Sequence, residues 1–86
     1  MDKVILITGG SRGIGAATAI LAAQQGYRIC INYLTDAAAA HEVLARVHAL
    51  GAKAIAVQAD VSNEEEIISL FTRVDEELGP ITALVN

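Results

Sequence analysis

The stretch VILITGGSRGIG, Val4–Gly15, decides the fold of this 86-residue chain because it joins two different local patterns. The aliphatic run Val4–Ile7 favours a buried strand, the glycines favour a tight turn, and the alanine-rich residues 16–23 favour a helix. A strand, a glycine turn and a helix in this order leave bare backbone amides at the helix N-terminus, where phosphate groups bind. We therefore predict a phosphate-binding turn near the start of the chain.

Three glycines of this turn have separate expected roles. Gly9 allows the sharp turn after the strand, Gly13 lets the backbone approach a diphosphate, and Gly15 lets the helix pack closely on the sheet. Ser11, Arg12 and Ile14, which lie between these glycines, are also expected to contact the ligand. The predicted contact residues of the turn are therefore Gly9, Ser11, Arg12, Gly13, Ile14 and Gly15.

The rest of the chain repeats the alternation of strand and helix. Apolar runs that predict strands start near Lys3, Tyr27, Lys53 and Ile81, and helical segments separate them. The predicted helices run from Gly13 to Gln25, from Thr35 or Asp36 to Leu50, and from Ser62 to Leu78. This pattern predicts an α/β fold, a Rossmann-type doubly wound parallel sheet with strand order 3-2-1-4 and helices on both faces.

The helices carry the expected end signals and apolar stripes. Gly26 and Gly51 are placed to end the first two helices, and Ser62 with Glu65 fits a capping box at the start of the third. The predicted buried stripe of the second helix is Ala40, Val43, Leu44, Val47 and Leu50. The predicted buried row of the third helix is Ile67, Phe71, Val74 and Leu78.

Composition limits the classes of function. Hydrophobic residues make up 53% of the chain and aromatic residues only 3%, so we expect an aliphatic core, with the single cysteine, Cys30, buried in it. The net charge of −4, without a basic cluster, argues against a nucleic-acid partner. Neither a secretory leader nor a membrane span is recognisable, so we expect a cytoplasmic protein without a membrane partner.

Two other glycine motifs compete for the turn. A Walker phosphate loop needs Lys and then Ser or Thr after its last glycine, which this chain lacks. The segment Gly9–Gly13 does fit G-x-S-x-G, in which Ser11 would be the nucleophile of an α/β hydrolase. Such enzymes order the triad as serine, acid and histidine, whereas His41 and His48 both precede Asp60. The hydrolase remains an alternative at this stage.

Three motifs in register resemble the N-terminal half of the short-chain dehydrogenases/reductases. They are Thr8-Gly9-x-x-x-Gly13-x-Gly15, Asp60-Val61 after the third strand, and Leu84-Val85-Asn86 at the end of the fourth. The resemblance covers the whole chain and is closest to the 3-oxoacyl-[acyl-carrier-protein] reductase and glucose 1-dehydrogenase-like group. It implies that Asp60 and the Val61 amide bind adenine. It also implies that Asn86 begins the Asn-Asn-Ala-Gly motif beside the cofactor.

The end of the second strand bears on the choice of dinucleotide. Enzymes that use NAD place an acid there for the ribose 2′-hydroxyl, whereas this chain has Asn32 and Tyr33. The resemblance implies that Arg12 turns toward a 2′-phosphate, and Ser11, Asn32, Tyr33 and Thr35 are candidate neutral donors. We therefore predict a preference for NADP(H), with NAD(H) as the second cofactor.

The resemblance also implies hydride transfer to or from a small carbonyl or alcohol substrate, with a Tyr-x-x-x-Lys signature. Four residues after Tyr27 and Tyr33 stand Ile31 and Ala37, so no catalytic residue can be assigned. His41 and His48 are too far apart on a helix to share a metal, and no metal site is predicted.

We therefore expect residues 1–86 to be the N-terminal part of one NAD(P)-binding domain, inactive alone, that forms a homotetramer or dimer when complete. The fourth strand should then be an exposed apolar edge. A non-catalytic dinucleotide-binding fragment or interaction module is the alternative.

Overall fold

Strands and helices alternate along the whole of residues 2–86, the part of the chain that the computed structural model describes. In chain order the elements are β1 (Val4–Ile7), α1 (Gly13–Gln24), β2 (Arg28–Tyr33), α2 (Ala37–Ala49), β3 (Ala54–Gln58), α3 (Glu64–Leu78) and β4 (Ala83–Val85). The predicted alternation is confirmed. Among the strands the largest boundary difference is at β4, which begins at Ala83 because the Val4 amide donates to the hydroxyl group of Thr82 and not to a backbone carbonyl.

The four strands form one parallel sheet in the order β3-β2-β1-β4, which confirms the predicted topology. Leu6 in the middle of β1 lies opposite Cys30 of β2 on one side and Leu84 of β4 on the other. Because all four strands run the same way, their carboxyl ends meet at one edge of the sheet. Ligands of open α/β sheets bind outside this edge, at the point where the strand order reverses.

Each face of the sheet carries its own core, as predicted. Alternate residues of a strand point to opposite faces, so Ile5 and Ile7 pack under α1 and α2, whereas Val4 and Leu6 pack under α3. The first core is otherwise built from Ala19, Ala22, Ala23, Ile29, Ile31, Ala40, Val43, Val47 and Ala54. The side chains are aliphatic and small, in agreement with the low aromatic content.

The buried row of α3 differs from the prediction. It consists of Leu70, Val74 and Leu78, while Phe71 is 43% exposed. Helical spacing allows both sets, because Leu70 and Phe71 are adjacent and either lies three or four residues before Val74. The sheet decides between them: α3 packs over β1, β2 and β3, so its next face, with Phe71, points toward the open side at β4. Leu50 is likewise 47% exposed, because it caps the end of α2 instead of continuing its stripe.

The cap of α3 is also shifted by one residue from the prediction. Asn63, not Ser62, is the N-cap, and its Oδ1 accepts a hydrogen bond from the Glu66 amide at 3.1 Å. Ser62 is unavailable because its amide and hydroxyl both donate to Asp60 Oδ1, at 2.9 and 2.6 Å. At α2 the structure selects Asp36 from the two predicted caps, with Oδ1 accepting from the Ala39 amide at 2.9 Å.

Cys30 is fully buried under α3, and this burial raises the pKa of its thiol to about 12. The thiolate is the reactive form, so we expect no alkylation of Cys30 by iodoacetamide in the native protein at pH 8. Peptide mass spectrometry after a timed reaction measures this, and the same reaction in concentrated urea is the control that should label Cys30 fully. Native labelling at the rate of a free thiol would contradict the burial of this side chain.

Candidate functional site

The glycine turn joins β1 to α1 at the carboxyl edge of the sheet. Gly9 and Gly13 have positive φ angles of 65° and 54°, a region that side chains rarely adopt. A Cβ atom on Gly15 would lie 2.5 Å from the Gly9 carbonyl oxygen and 2.8 Å from the Gly10 Cα atom. The close approach expected at Gly15 is therefore made to the turn itself, so the first turn of α1 sits directly against the end of β1.

The N-terminus of α1 is open to an anion. Its N-cap, Arg12, has an extended backbone and makes no side-chain cap, and the first turn contains no acidic residue. The first amides of a helix have no acceptor inside it and carry the positive end of the helix dipole. Gly9, Gly13 and Ile14 are exposed around these amides, so the turn can accept a phosphate group from solvent.

Arg12 forms an ion pair with Asp36, the N-cap of α2. The Arg12 side chain is 73% exposed and that of Asp36 31%. The hydrogen bond from Arg12, and after it the bond from the Ala39 amide, lowers the pKa of Asp36, while Asp36 raises the pKa of Arg12. From the sequence, Asp36 is expected only as a helix cap. The signal that could have found it is an acidic residue about 20 positions after the glycines.

Asn32 is a buried residue at the end of β2 that bonds to the segments around the glycine turn. It is only 3% exposed, and its side-chain Nδ2 donates to the carbonyl oxygens of Val57 and Ala59 at 3.3 and 3.1 Å. The main-chain carbonyl oxygen of Asn32 accepts a hydrogen bond from the Gly10 amide at 3.1 Å. Both amide hydrogens are thus occupied, which corrects the expectation that Asn32 donates to a ligand. Asn32 instead ties the end of β2 to the glycine turn and to the loop after β3.

The other neutral residues expected near the ribose lie around the end of β2. Tyr33 is half-buried, its carbonyl oxygen accepts from the Ala59 amide at 3.0 Å, and its ring centroid lies 6.4 Å from that of His41. Ser11 is half-buried in the glycine turn and Thr35 is exposed. Their hydroxyl groups stay candidate donors.

The loop after β3 presents Asp60 at the same edge of the sheet. Asp60 Oδ1 accepts from both the hydroxyl and the amide of Ser62, and these bonds lower the pKa of the carboxyl group. Asp60 is therefore ionised at neutral pH. Its Oδ2 accepts no hydrogen bond within residues 2–86, and the next residue, Val61, is 43% exposed.

A cleft of about 210 Å³ brings two of the expected site residues together. It lies between the end of β1, the start of α3 and the end of β4, and is lined by Thr8, Val61, Ile67, Leu70, Phe71, Leu84 and Asn86. Thr8 Oγ1 donates to Asn86 Oδ1 at 3.1 Å, which fixes the end of β4 to the foot of the glycine turn. The structure thus brings Val61 and Asn86 together in one cleft, and Arg12 is not among the residues that line it.

A larger hollow of about 640 Å³ lies along the free edge of β4 and contains none of the expected site residues. It is lined by Phe71, Thr72, Asp75, Glu76, Pro80, Ile81 and Leu84. Leu84 is 51% exposed and, within residues 2–86, β4 pairs with β1 alone, as expected for an apolar edge strand of this part of the sheet.

None of the helices in residues 2–86 combines the length and the apolar character that crossing a membrane requires. No group of three His, Cys, Asp or Glu side chains is placed there to hold a metal ion.

Comparison with known proteins gives consistent matches over nearly the whole chain. The family model described as short chain dehydrogenase matches residues 3–86. The Escherichia coli K12 protein named uncharacterized oxidoreductase YgfF is 47% identical over 83 residues, which is 96% of this chain and 34% of that protein. A 3-oxoacyl-[acyl-carrier-protein] reductase of Synechocystis is 43% identical over 84 residues, 98% of this chain and 34% of the relative.

Solved structures match the fold equally well. A mutant of a Serratia marcescens short-chain dehydrogenase/reductase superposes with a TM-score of 0.93 at 32% identity, over 98% of this chain and 34% of that one. Acetoin dehydrogenase from Enterobacter cloacae superposes with a TM-score of 0.90 at 29% identity, over 100% of this chain and 35% of that one. The chain spans about a third of the length of these proteins. With its glycine turn, sheet order and matched sequence, the chain belongs to the short-chain dehydrogenase/reductase family.

Proposed function

We propose that this chain is the N-terminal, dinucleotide-binding part of an NADP(H)-dependent oxidoreductase that acts on a carbonyl or alcohol substrate. Residues 1–86 would then form one part of a single domain, because the chain spans about a third of its relatives. The names of two similar proteins, 3-oxoacyl-[acyl-carrier-protein] reductase and acetoin dehydrogenase, support this class of substrate. The protein that contains the whole domain is called the full-length protein below.

The glycine turn is the observation that carries the proposal. A side chain on Gly15 would collide with the turn, and Gly9 and Gly13 have backbone angles that favour glycine. The result is an uncapped helix N-terminus with exposed amides, a shape and polarity suited to the diphosphate of a dinucleotide. The residues present therefore fit a nicotinamide dinucleotide. When bound, this cofactor supplies or accepts the hydride.

The remaining contacts are assigned from the loop after β3 and the end of β4. We assign the adenine amino group to Asp60 Oδ2, an ionised acceptor without another partner in residues 2–86, and the adenine ring to the neighbouring Val61. Asn86, fixed by Thr8, would line the inner part of the pocket. These groups bind and orient the cofactor.

Proton transfer to the substrate is assigned to residues outside this chain, because neither Tyr27 nor Tyr33 has a lysine four residues later. The same observation favours the second candidate, a dinucleotide-binding fragment without catalysis. NADPH oxidation with a panel of ketones separates them. We expect turnover by the full-length protein and none above buffer by residues 1–86, whereas an inactive full-length protein would favour the second candidate.

Arg12 is assigned to the 2′-phosphate of NADP(H). We expect Arg12→Ala in the full-length protein to raise the dissociation constant of NADPH about tenfold, because a charged hydrogen bond to phosphate is lost. The dissociation constant of NADH should change less than about twofold. Fluorescence titration of both reduced cofactors measures the ratio, and Arg46→Ala, an exposed arginine on α2 away from the turn, is the matched control. An unchanged ratio in Arg12→Ala would remove Arg12 from the cofactor site.

A further inference from the structure

The ion pair between Arg12 and Asp36 connects two elements that both border the proposed ribose side of the site. Arg12 is the N-cap of α1 and Asp36 is the N-cap of α2. Their contact joins Arg12 Nη2 to Asp36 Oδ2, while Asp36 Oδ1 is bonded to the Ala39 amide. The cap bond holds the carboxylate in place, whereas the Arg12 side chain is 73% exposed, so the guanidinium group is the partner that has room to turn to another anion.

We propose that Asp36 is a specificity-determining residue, whose carboxylate competes with the 2′-phosphate of NADP(H) for Arg12 and so reduces the preference for NADP(H) over NAD(H). This inference rests on the proposed function, in which Arg12 contacts the ribose substituent. The end of β2, with Asn32 and Tyr33, carries no acidic residue, and in this inference Asp36 supplies one from the loop that follows.

The two cofactors make different demands on this pair. NAD(H) has a neutral 2′-hydroxyl group, and Arg12 keeps its bond to Asp36. NADP(H) brings a phosphate anion, and Arg12 then either leaves Asp36 unpaired or is shared between two anions that repel each other. Both arrangements reduce the affinity for NADP(H) and leave the affinity for NAD(H) unaffected. Asn32 cannot compensate as a donor, because both of its amide hydrogens are engaged by β3 and the following loop.

The expected change in NADPH affinity on removal of the Asp36 charge depends on how exposed the ion pair is. The Arg12 and Asp36 side chains are 73% and 31% exposed, and solvent weakens ion pairs of this kind. Removing the negative charge should therefore tighten the binding of NADPH by about threefold to tenfold, because Arg12 no longer has to leave a competing carboxylate. If the carboxylate merely held Arg12 in place for the phosphate, its removal would weaken the binding of NADPH, which is the opposite result.

The substitution Asp36→Asn in the full-length protein separates the charge from the cap. Asparagine is as good an N-cap as aspartate and can accept from the Ala39 amide, so α2 keeps its start. The ligands are NADPH, NADH, adenosine 2′,5′-bisphosphate and adenosine 5′-monophosphate, titrated by calorimetry at one ionic strength. We expect the two 2′-phosphorylated ligands to bind about threefold to tenfold tighter, and the other two to change less than about twofold.

A second pair of variants tests whether Asp36 acts through Arg12. In the Arg12→Ala background, adding Asp36→Asn should improve NADPH binding by less than about twofold, since no guanidinium is left to release. Asp36→Ser, which also keeps a capping oxygen, repeats the test if Asp36→Asn fails to fold. Thermal melting of each variant confirms that α2 is intact.

The outcomes are distinguishable. Unchanged or weaker NADPH binding in Asp36→Asn, with normal binding by the wild type, overturns the competition and leaves the proposed function standing. If Asp36→Asn tightens NADPH binding equally in the wild-type and the Arg12→Ala backgrounds, the competition is also overturned. A wild-type protein that binds neither dinucleotide contradicts the proposed function and the inference together.

Discussion

Replacing Gly15 with alanine is expected to raise the dissociation constant of NADPH for the full-length protein by about 100-fold, since small displacements of a binding group have effects of this size. The added methyl group would lie 2.5 Å from the Gly9 carbonyl oxygen and 2.8 Å from the Gly10 Cα atom, both of them backbone atoms. The start of α1 must then move away from the turn, and the amides proposed to hold the diphosphate move with it. Fluorescence titration with NADPH measures the change.

Gly51→Ala is the matched control for this substitution. Gly51 also has a positive φ, 86°, but lies at the end of α2, and a Cβ atom there meets nothing within 4 Å. It should lower the free energy of unfolding by about 1 kcal/mol and leave the affinity for NADPH unchanged. Wild-type affinity in a folded Gly15→Ala protein would mean that the glycine turn does not hold the cofactor.

Replacing Asn32 with alanine is expected to lower the free energy of unfolding of the full-length protein by about 2–4 kcal/mol. The substitution removes the side-chain donor to the carbonyl oxygens of Val57 and Ala59, and with it two hydrogen bonds made by a buried amide. NADPH binding should weaken as well, because Ala59, which the Asn32 side chain holds, directly precedes Asp60. Urea unfolding and cofactor titration measure the two effects.

Tyr33→Phe at the neighbouring position is the control, because it removes one hydroxyl from a half-buried ring and leaves the backbone bonds intact. Its effect on stability should stay within about 0.5 kcal/mol. If Asn32→Ala were as harmless, the Asn32 side chain would not hold β3 and the loop after it to the end of β2. Asn32→Leu, which keeps the volume and lacks the donors, should behave like Asn32→Ala.

The order of elements and the order of strands could be predicted because both follow from local patterns. Each strand is a short aliphatic run, each helix ends near a glycine, and parallel strands joined by right-handed crossovers have few allowed arrangements. The glycine turn was equally readable, since Gly9 and Gly13 do adopt the positive φ angles that only glycine favours.

The faces of α3 and its cap could not be fixed from local patterns. Leu70 and Phe71 both fit the helical period, and only the position of α3 over the sheet buries Leu70 and exposes Phe71. Ser62 and Asn63 are both good caps, and the choice depends on Asp60, which takes the Ser62 hydroxyl for itself. Such competition between neighbouring polar groups is settled by the backbone path of the loop.

The geometry of the glycine turn was predicted better than the hydrogen bonds at the end of β2. The role of Asn32 depends on which carbonyl groups of β3 lie within reach, and sequence spacing carries no such information. The spacing of an acid after the glycines could have singled out Asp36, but its pairing with Arg12, 24 residues away in another element, depends on the fold. The prediction of NADP(H) considered only the end of β2, three residues earlier, and did not take the Arg12–Asp36 ion pair into account.

The most direct test of the proposed function compares NADPH and NADH binding to the wild-type full-length protein under one set of conditions. Titration of the two reduced cofactors by their fluorescence gives both dissociation constants at the same pH and ionic strength. We expect NADPH to bind about tenfold more tightly, the contribution of a charged contact between Arg12 and the 2′-phosphate after Asp36 has reduced it. Tighter binding of NADH, or no binding of either cofactor, would contradict the assignment of this chain to an NADP(H) site.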